Sequence, residues 1–184
     1  MKSKIDEKSS QKVSNFLEKN SLHKKDFAEM IGVTLSYVYN LIDETIPFST
    51  RSTTLERIAT VMDINPEEFE EYKIPQEPII EDDSIEFIKN IIHKKKISVV
   101  NFLKSFPRKK RVDVVDMLRG AYPLPIDFKE LVMIGKTLDL DSNDIYKIWE
   151  ERMKQVLETN GMNLSSNAAL INSMFECAKK YIET

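Results

Sequence analysis

Cysteine occurs once in the 184 residues, at Cys177, and a single thiol cannot close an internal disulfide. The two histidines, His23 and His93, stand far apart and cannot seed a metal cluster. Cys177 follows Glu176 in a segment with an apolar stripe, which disfavours a thiolate, so a partly buried structural residue is expected there. Glycine occurs four times, with no glycine-rich run of the kind that cradles phosphate. Neither paired histidine and carboxylate at ligand spacing nor a Ser/His/Asp order with supporting glycines is present, so no enzyme and no cofactor is expected. No apolar run approaches the roughly 20 residues that span a bilayer. Met1 to Ser10 is polar and charged, unlike a secretory leader. A cytoplasmic protein without a membrane partner is the expectation.

What is present favours helix. Hydrophobic residues make up 41% and charged residues 31%, an ordinary balance for a globular chain rich in Leu, Ile, Lys and Glu. The net charge of −3 hides an uneven distribution. Residues 89–119 hold Lys89, Lys94, Lys95, Lys96, Lys104, Arg108, Lys109, Lys110, Arg111 and Arg119 against Asp113 and Asp116 alone. Residues 63–83 reverse this, with nine acids against Lys73.

One helical plan recurs with a shift of 76 residues. Leu41, Ile42, Pro47, Leu55, Ile58, Met62, Ile64 and Phe69 fall on Met117, Leu118, Pro123, Leu131, Ile134, Leu138, Leu140 and Ile145. Two small helical units follow, and the acidic, Pro-containing stretch 73–83 reads as a linker between domains at 1–72 and 84–184.

Along the first unit, Val13, Phe16 and Leu17 mark a helix after a Ser10 cap. A second helix opens near Lys24 and stops at Gly32, which takes the left-handed conformation at no steric cost. Thr34 caps a third helix whose inward side is Val38, Leu41 and Ile42. Thr53 to Glu56 reads as a capping box opening a fourth, and Asn65-Pro66 opens a fifth. In the second unit, helices are expected from Ser84, around Val99 to Leu103, from Pro107 to Leu118, and after Asp127. A longer one follows Asp141 and reaches Trp149, Met153 and Val156. A last amphipathic helix after Ser165 or Ser166 carries Leu170, Ile171, Met174, Phe175, Ala178 and Tyr181.

The phasing of Leu22, Phe27-Ala28, Ile31-Gly32-Val33, Thr34, Val38, Leu41, Pro47, Leu55, Ile58-Ala59, Met62 and Phe69 resembles the Cro/C1-type helix-turn-helix, the family of phage repressors and XRE-like regulators. Two helices joined by a tight turn need a small residue where they cross, here Ala28, and a permissive one in the turn, here Gly32. The resemblance implies an all-α chain of tandem small helical domains. The first is a five-helix Cro/C1-like unit, and the second is a diverged repeat plus a C-terminal helix. It implies double-stranded DNA as partner, with the third helix in the major groove. The exposed positions would be Leu35, Ser36, Tyr37, Tyr39 and Asn40. Asn40 suits bidentate pairing with adenine, and no arginine is present to read guanine, so an A·T-rich site is expected. Lys24, Lys25, Thr34, Thr50, Arg51 and Ser52 would meet phosphates. The alternative for Tyr37 and Tyr39 is that they only cover the core edge.

The second copy departs from the pattern. Ala28 maps to Lys104, Gly32 to Arg108, and Thr34 and Leu35 to Lys110 and Arg111, while Pro107 removes the sharp turn by starting its helix early. For the cluster of Lys94, Lys95, Lys96, Arg108, Lys109, Lys110 and Arg111, three explanations stand: added phosphate contacts, a grip on an acidic partner (including the 63–83 segment of this or another chain), or a solvated face. The resemblance also implies dimerisation, with the region beyond residue 144 as candidate surface; packing within the chain is the alternative. The expected function is a sequence-specific transcriptional regulator, a repressor of phage, plasmid or mobile-element type. The competing reading is a protein-binding module, antitoxin-like or an inhibitor, that uses the second domain.

Overall fold

The computed structural model describes residues 7–73, 83–124 and 127–182. Among them are ten α-helices, two short 3-10 turns and no strand. Apart from Lys73 and Asp83, the expected linker lies outside the described residues, as do Met1 to Asp6 and Pro125; nothing describes the side chains of Ala178 and Tyr181.

Two compact units divide the chain. Unit 1 takes residues 1–81 and 96–122, and unit 2 takes 82–95 and 123–184. The division does not follow the expected boundary at residue 84, because residues 96–122 group with the N-terminal helices. Apolar periodicity says which face of a helix is buried, not which neighbour buries it.

Unit 1 contains α1 (Ser9–Lys19), α2 (Lys24–Ile31), α3 (Leu35–Ile42) and α4 (Ser52–Met62), then a 3-10 turn at Pro66–Glu68. The unit's other two helices, α6 (Val99–Lys104) and α7 (Arg111–Leu118), flank a second 3-10 turn at Arg108–Lys110. The α2 helix packs on α3, α4 and α7, while α6 and α7 both pack on α4. The core includes Val13, Phe27, Met30, Ile31, Val38, Leu55, Ile58, Ala59, Phe102, Leu103 and Val115, all essentially removed from solvent.

Several local expectations hold. Gly32 has φ +71° and ends α2, with the Val33 amide donating to the Ala28 carbonyl. The Thr34 side chain accepts from the Tyr37 amide at 3.2 Å, capping α3. Others change. Ser10 lies inside α1 rather than capping it, and position 8 precedes the helix. The expected capping box at Thr53–Glu56 does not form; Arg51 precedes α4 with no side-chain cap, and Glu56 is buried. The fifth helix shrinks to one 3-10 turn, closed by a reciprocal Asn65–Glu68 capping box. The helix expected from Pro107 begins only at Arg111, so a six-residue connection separates α6 from α7 where Gly32 to Thr34 suffices in the first copy.

Unit 2 contains α5 (Asp83–Lys94), α8 (Phe128–Thr137), α9 (Ser142–Thr159) and α10 (Ala168–Ile182). Asp127 caps α8 and Asp141 caps α9, each accepting a backbone N–H. The tail helix α10 starts two or three residues later than expected and packs on α9. There Trp149 meets Phe175 edge-on at 5.6 Å, and the Tyr146 hydroxyl donates to the Phe175 carbonyl at 3.1 Å. The expected apolar stripe of α10 divides: Ile171 and Phe175 are buried, whereas Leu170 and Met174 are about half exposed. Cys177 is exposed, against the expectation of a partly buried thiol; it sits two residues past the buried Phe175, and successive positions two apart on a helix do not share a face. None of the described helices is long and apolar enough to cross a membrane.

Helix starts keep the 76-residue register across both units: Leu35 and Arg111, Ser52 and Phe128, Pro66 and Ser142. Asp63 and Asp139, in the same register, both take positive φ at the end of a helix.

Candidate nucleic-acid interface

The α2–turn–α3 segment builds the candidate interface. Val38 and Leu41 turn inward and fix α3 against the core. The opposite side of α3 presents Leu35, Ser36, Tyr39 and Asn40, all exposed, with Tyr39 at 54%. A short helix with a buried apolar edge and an exposed, mixed polar edge at its first turns has the shape that enters a major groove. The ammonium of Lys24 lies over the Tyr39 ring, 5.5 Å from its centroid. That contact is of the cation–π kind and holds the ring against α2. Lys25 is exposed.

Tyr37 is placed differently from its neighbours. It is half-buried, and its hydroxyl donates to the Thr50 hydroxyl at 2.6 Å. It thus braces the loop that carries Thr50 and Arg51 against α3, closer to the core-edge alternative than to base reading. Thr34 is engaged as the α3 cap, Arg51 is exposed just before α4, and Ser52 is half-buried as its first residue.

The basic cluster is divided between the two units. Lys94 and Lys95 belong to unit 2 and Lys96 to unit 1. Lys95 donates to the Asp139 carbonyl at 3.0 Å. Lys94, Lys96, Lys109 and Lys110 are exposed. Arg111, expected on phosphate, is buried, with a side chain only 10% exposed. Its guanidinium donates to the carbonyls of Phe106 and Lys104 and lies 3.6 Å from Asp26 and 3.7 Å from Glu29, both on α2. Arg108 faces the same two acids at 3.9 and 3.4 Å, but its side chain is 60% exposed. Arg111 therefore anchors α7 to α2 and has no path to a phosphate. Part of the cluster grips acids of its own chain, as one of the three explanations held, but the acids are on α2 and not in 63–83.

A second polar network was not legible in the sequence. Arg57 of α4 forms a two-pronged pair with Asp116 of α7, at 2.7 and 2.6 Å. Asp116 also accepts from Arg119 at 2.7 Å, and Arg119 reaches the buried Glu56 at 2.6 Å. Glu56 accepts from the Tyr72 hydroxyl at 3.2 Å. Burial by itself would raise the Asp116 carboxyl, but the bonds from Arg57 and Arg119 outweigh it and hold the group below the usual carboxylate range. The Arg57 guanidinium is raised mainly by its bond to Asp116. Arg57 also reaches the Ile31 carbonyl at the end of α2, at 3.4 Å. The one available signal was Asp116 itself, a lone acid between Val114-Val115 and Met117-Leu118.

The tight turn depends on this packing. A Cβ at Gly32 would lie 2.8 Å from Cγ2 of Val112 and 3.0 Å from the Arg57 guanidinium. Glycine is thus required twice there, for its φ and for the approach of α7.

Comparison with known proteins agrees with this geometry. Residues 12–75 match the family model of the Cro/C1-type helix-turn-helix DNA-binding domain. No curated protein and no solved structure matches the chain. Residues 12–75 thus form a Cro/C1-type helix-turn-helix DNA-binding domain, with α2 and α3 as the two helices of the motif.

Proposed function

We propose that the chain is a sequence-specific transcriptional repressor of the kind carried by phages, plasmids or other mobile elements, acting in the cytoplasm by occupying an operator. The observation that carries this reading is the exposed edge of α3, Leu35, Ser36, Tyr39 and Asn40, on a Cro/C1-type domain. Asn40 offers a bidentate donor and acceptor to adenine, and Leu35 an apolar contact to a thymine methyl. Lys24, Lys25 and Arg51 supply charge for phosphates, which fix register without specifying sequence. The absence of arginine from this edge supports an A·T-rich operator.

A homodimer on a two-fold operator fits this role, since two half-sites about one helical turn apart multiply affinity. Leu170 and Met174 on α10, beyond residue 144, are exposed apolar side chains suited to it. The shared 76-residue register supports a duplicated scaffold in which only the first copy keeps the sharp turn. Transcription in vitro from a promoter overlapping the selected site tests the repressor reading. Added protein is expected to lower transcript in proportion to site occupancy; unchanged or increased transcript at full occupancy overturns it.

The same exposed Leu170 and Met174 favour a second reading, a protein-binding module of antitoxin or inhibitor type that uses unit 2. Capture from a host lysate treated with nuclease separates the two. A stoichiometric protein partner that is lost on Leu170→Glu supports the module, and recovery of DNA alone before treatment supports the repressor.

A further inference from the structure

The 3-10 turn at Arg108–Lys110 lies beyond the residues that match the family, yet it packs on α2. Arg108 lines the same groove as Leu22, Lys24, Lys25, Leu35 and Tyr39. The start of α2, the exposed edge of α3 and a residue some seventy positions further on therefore border one concavity. The acids on that groove are Glu18 and Asp26.

The two arginines on α2's acids divide their work. Arg111 is spent on interior carbonyls and is out of reach. Arg108 keeps 60% of its side chain in solvent, and its nearest carboxylate oxygens, at 3.4 and 3.9 Å, are too distant for good hydrogen bonds. Its guanidinium is thus placed by charge and still has donors to offer. A planar fork with open donors beside two lysines suits one ligand class above others, a phosphodiester oxygen. In helix-turn-helix docking the first helix of the motif crosses the DNA backbone while the second enters the groove. A phosphate strand passing the start of α2 with α3 in the major groove therefore passes Arg108.

We propose that Arg108 is a backbone-phosphate contact, so that the DNA interface is composite, with α2 and α3 from residues 12–75 and a cation from the turn before α7. This rests on the DNA-binding reading above and adds a residue that the family match does not include.

The test uses the full-length chain and synthetic duplexes, one bearing the selected site and one of random sequence, titrated at several salt concentrations. Arg108→Gln is expected to weaken binding to both duplexes by the same factor and to make the log–log salt slope shallower by about 1. Sequence preference and melting temperature should stay as in the parent. Removing Arg108 also leaves Asp26 and Glu29 less compensated, so Arg108→Gln/Glu29→Gln is measured alongside. The double variant is expected to keep the shallow slope. An Arg108→Gln slope equal to the parent's, or a double variant restored to parental affinity and slope, overturns the proposal while DNA binding itself stands. If the parent binds neither duplex, the DNA-binding reading fails and this inference with it.

Discussion

Asp116 accepts from two guanidinium groups, Arg57 and Arg119, and its side chain is only 4% exposed. Removing one partner of such a buried set leaves uncompensated charge, a loss of about 3–5 kcal/mol. Asp116→Asn should therefore lower the unfolding free energy by that amount in a denaturant melt at neutral pH, seen as a lower midpoint at unchanged slope. Its carboxyl is held below the ordinary range in the folded protein. The unfolded chain therefore binds the proton first as pH falls. The stabilisation is complete above about pH 4 and disappears as pH drops through the folded value. The gap between parent and Asp116→Asn should narrow below about pH 4 in acid titrations followed by circular dichroism; a constant gap down to acid unfolding would remove this role. Gly32→Ala meets both a positive φ and Val112, and should cost more than about 1 kcal/mol.

At the scale of elements, α3 is held by Thr34 at its start and by Tyr37 across to Thr50. Thr34→Ala should cost about 1 kcal/mol in a chemical melt. Tyr37→Phe loses the bond to Thr50 and loosens the loop before α4. It should weaken DNA binding without altering which sequence is preferred, as measured by competition between related duplexes. These local devices were legible: Thr34, Asp127 and Asp141 are caps whose chemistry is complete within four residues. So was the tight turn, because Gly32 follows an apolar helix and precedes a cap. The failures share one cause. Glu56 reads locally as the closing residue of a capping box, but its partner Arg119 stands 63 positions away. Arg111 reads as part of a solvent-facing basic run, but its partners are Asp26 and Glu29. Charge patterning in sequence cannot say which cations are used up by distant acids. The exposed edge of α3 was recovered with the exception of Tyr37, whose aromatic ring fits a base contact and a brace equally well until the 49–50 loop is placed.

At the scale of the molecule, the family match ends at residue 75 while unit 1 continues to residue 122. Ending the chain at residue 75 would leave Glu56, Arg57, Asp26 and Glu29 without α7 and would uncover the α2 and α4 faces it packs on. Losing two such networks costs several kcal/mol against a total stability of about 5–15 kcal/mol. A fragment of residues 1–75 should melt far below one of residues 1–122, or show no cooperative transition; equal melting curves would mean that α6 and α7 are accessory. The most direct test of DNA recognition by α3 is selection from random duplexes by the full-length chain beside its Ser36→Ala/Asn40→Ala variant. The parent is expected to enrich one A·T-rich motif, and the variant to lose that enrichment while still binding random duplex in a salt-dependent way. The same motif enriched by both, or none enriched by the parent, would contradict it.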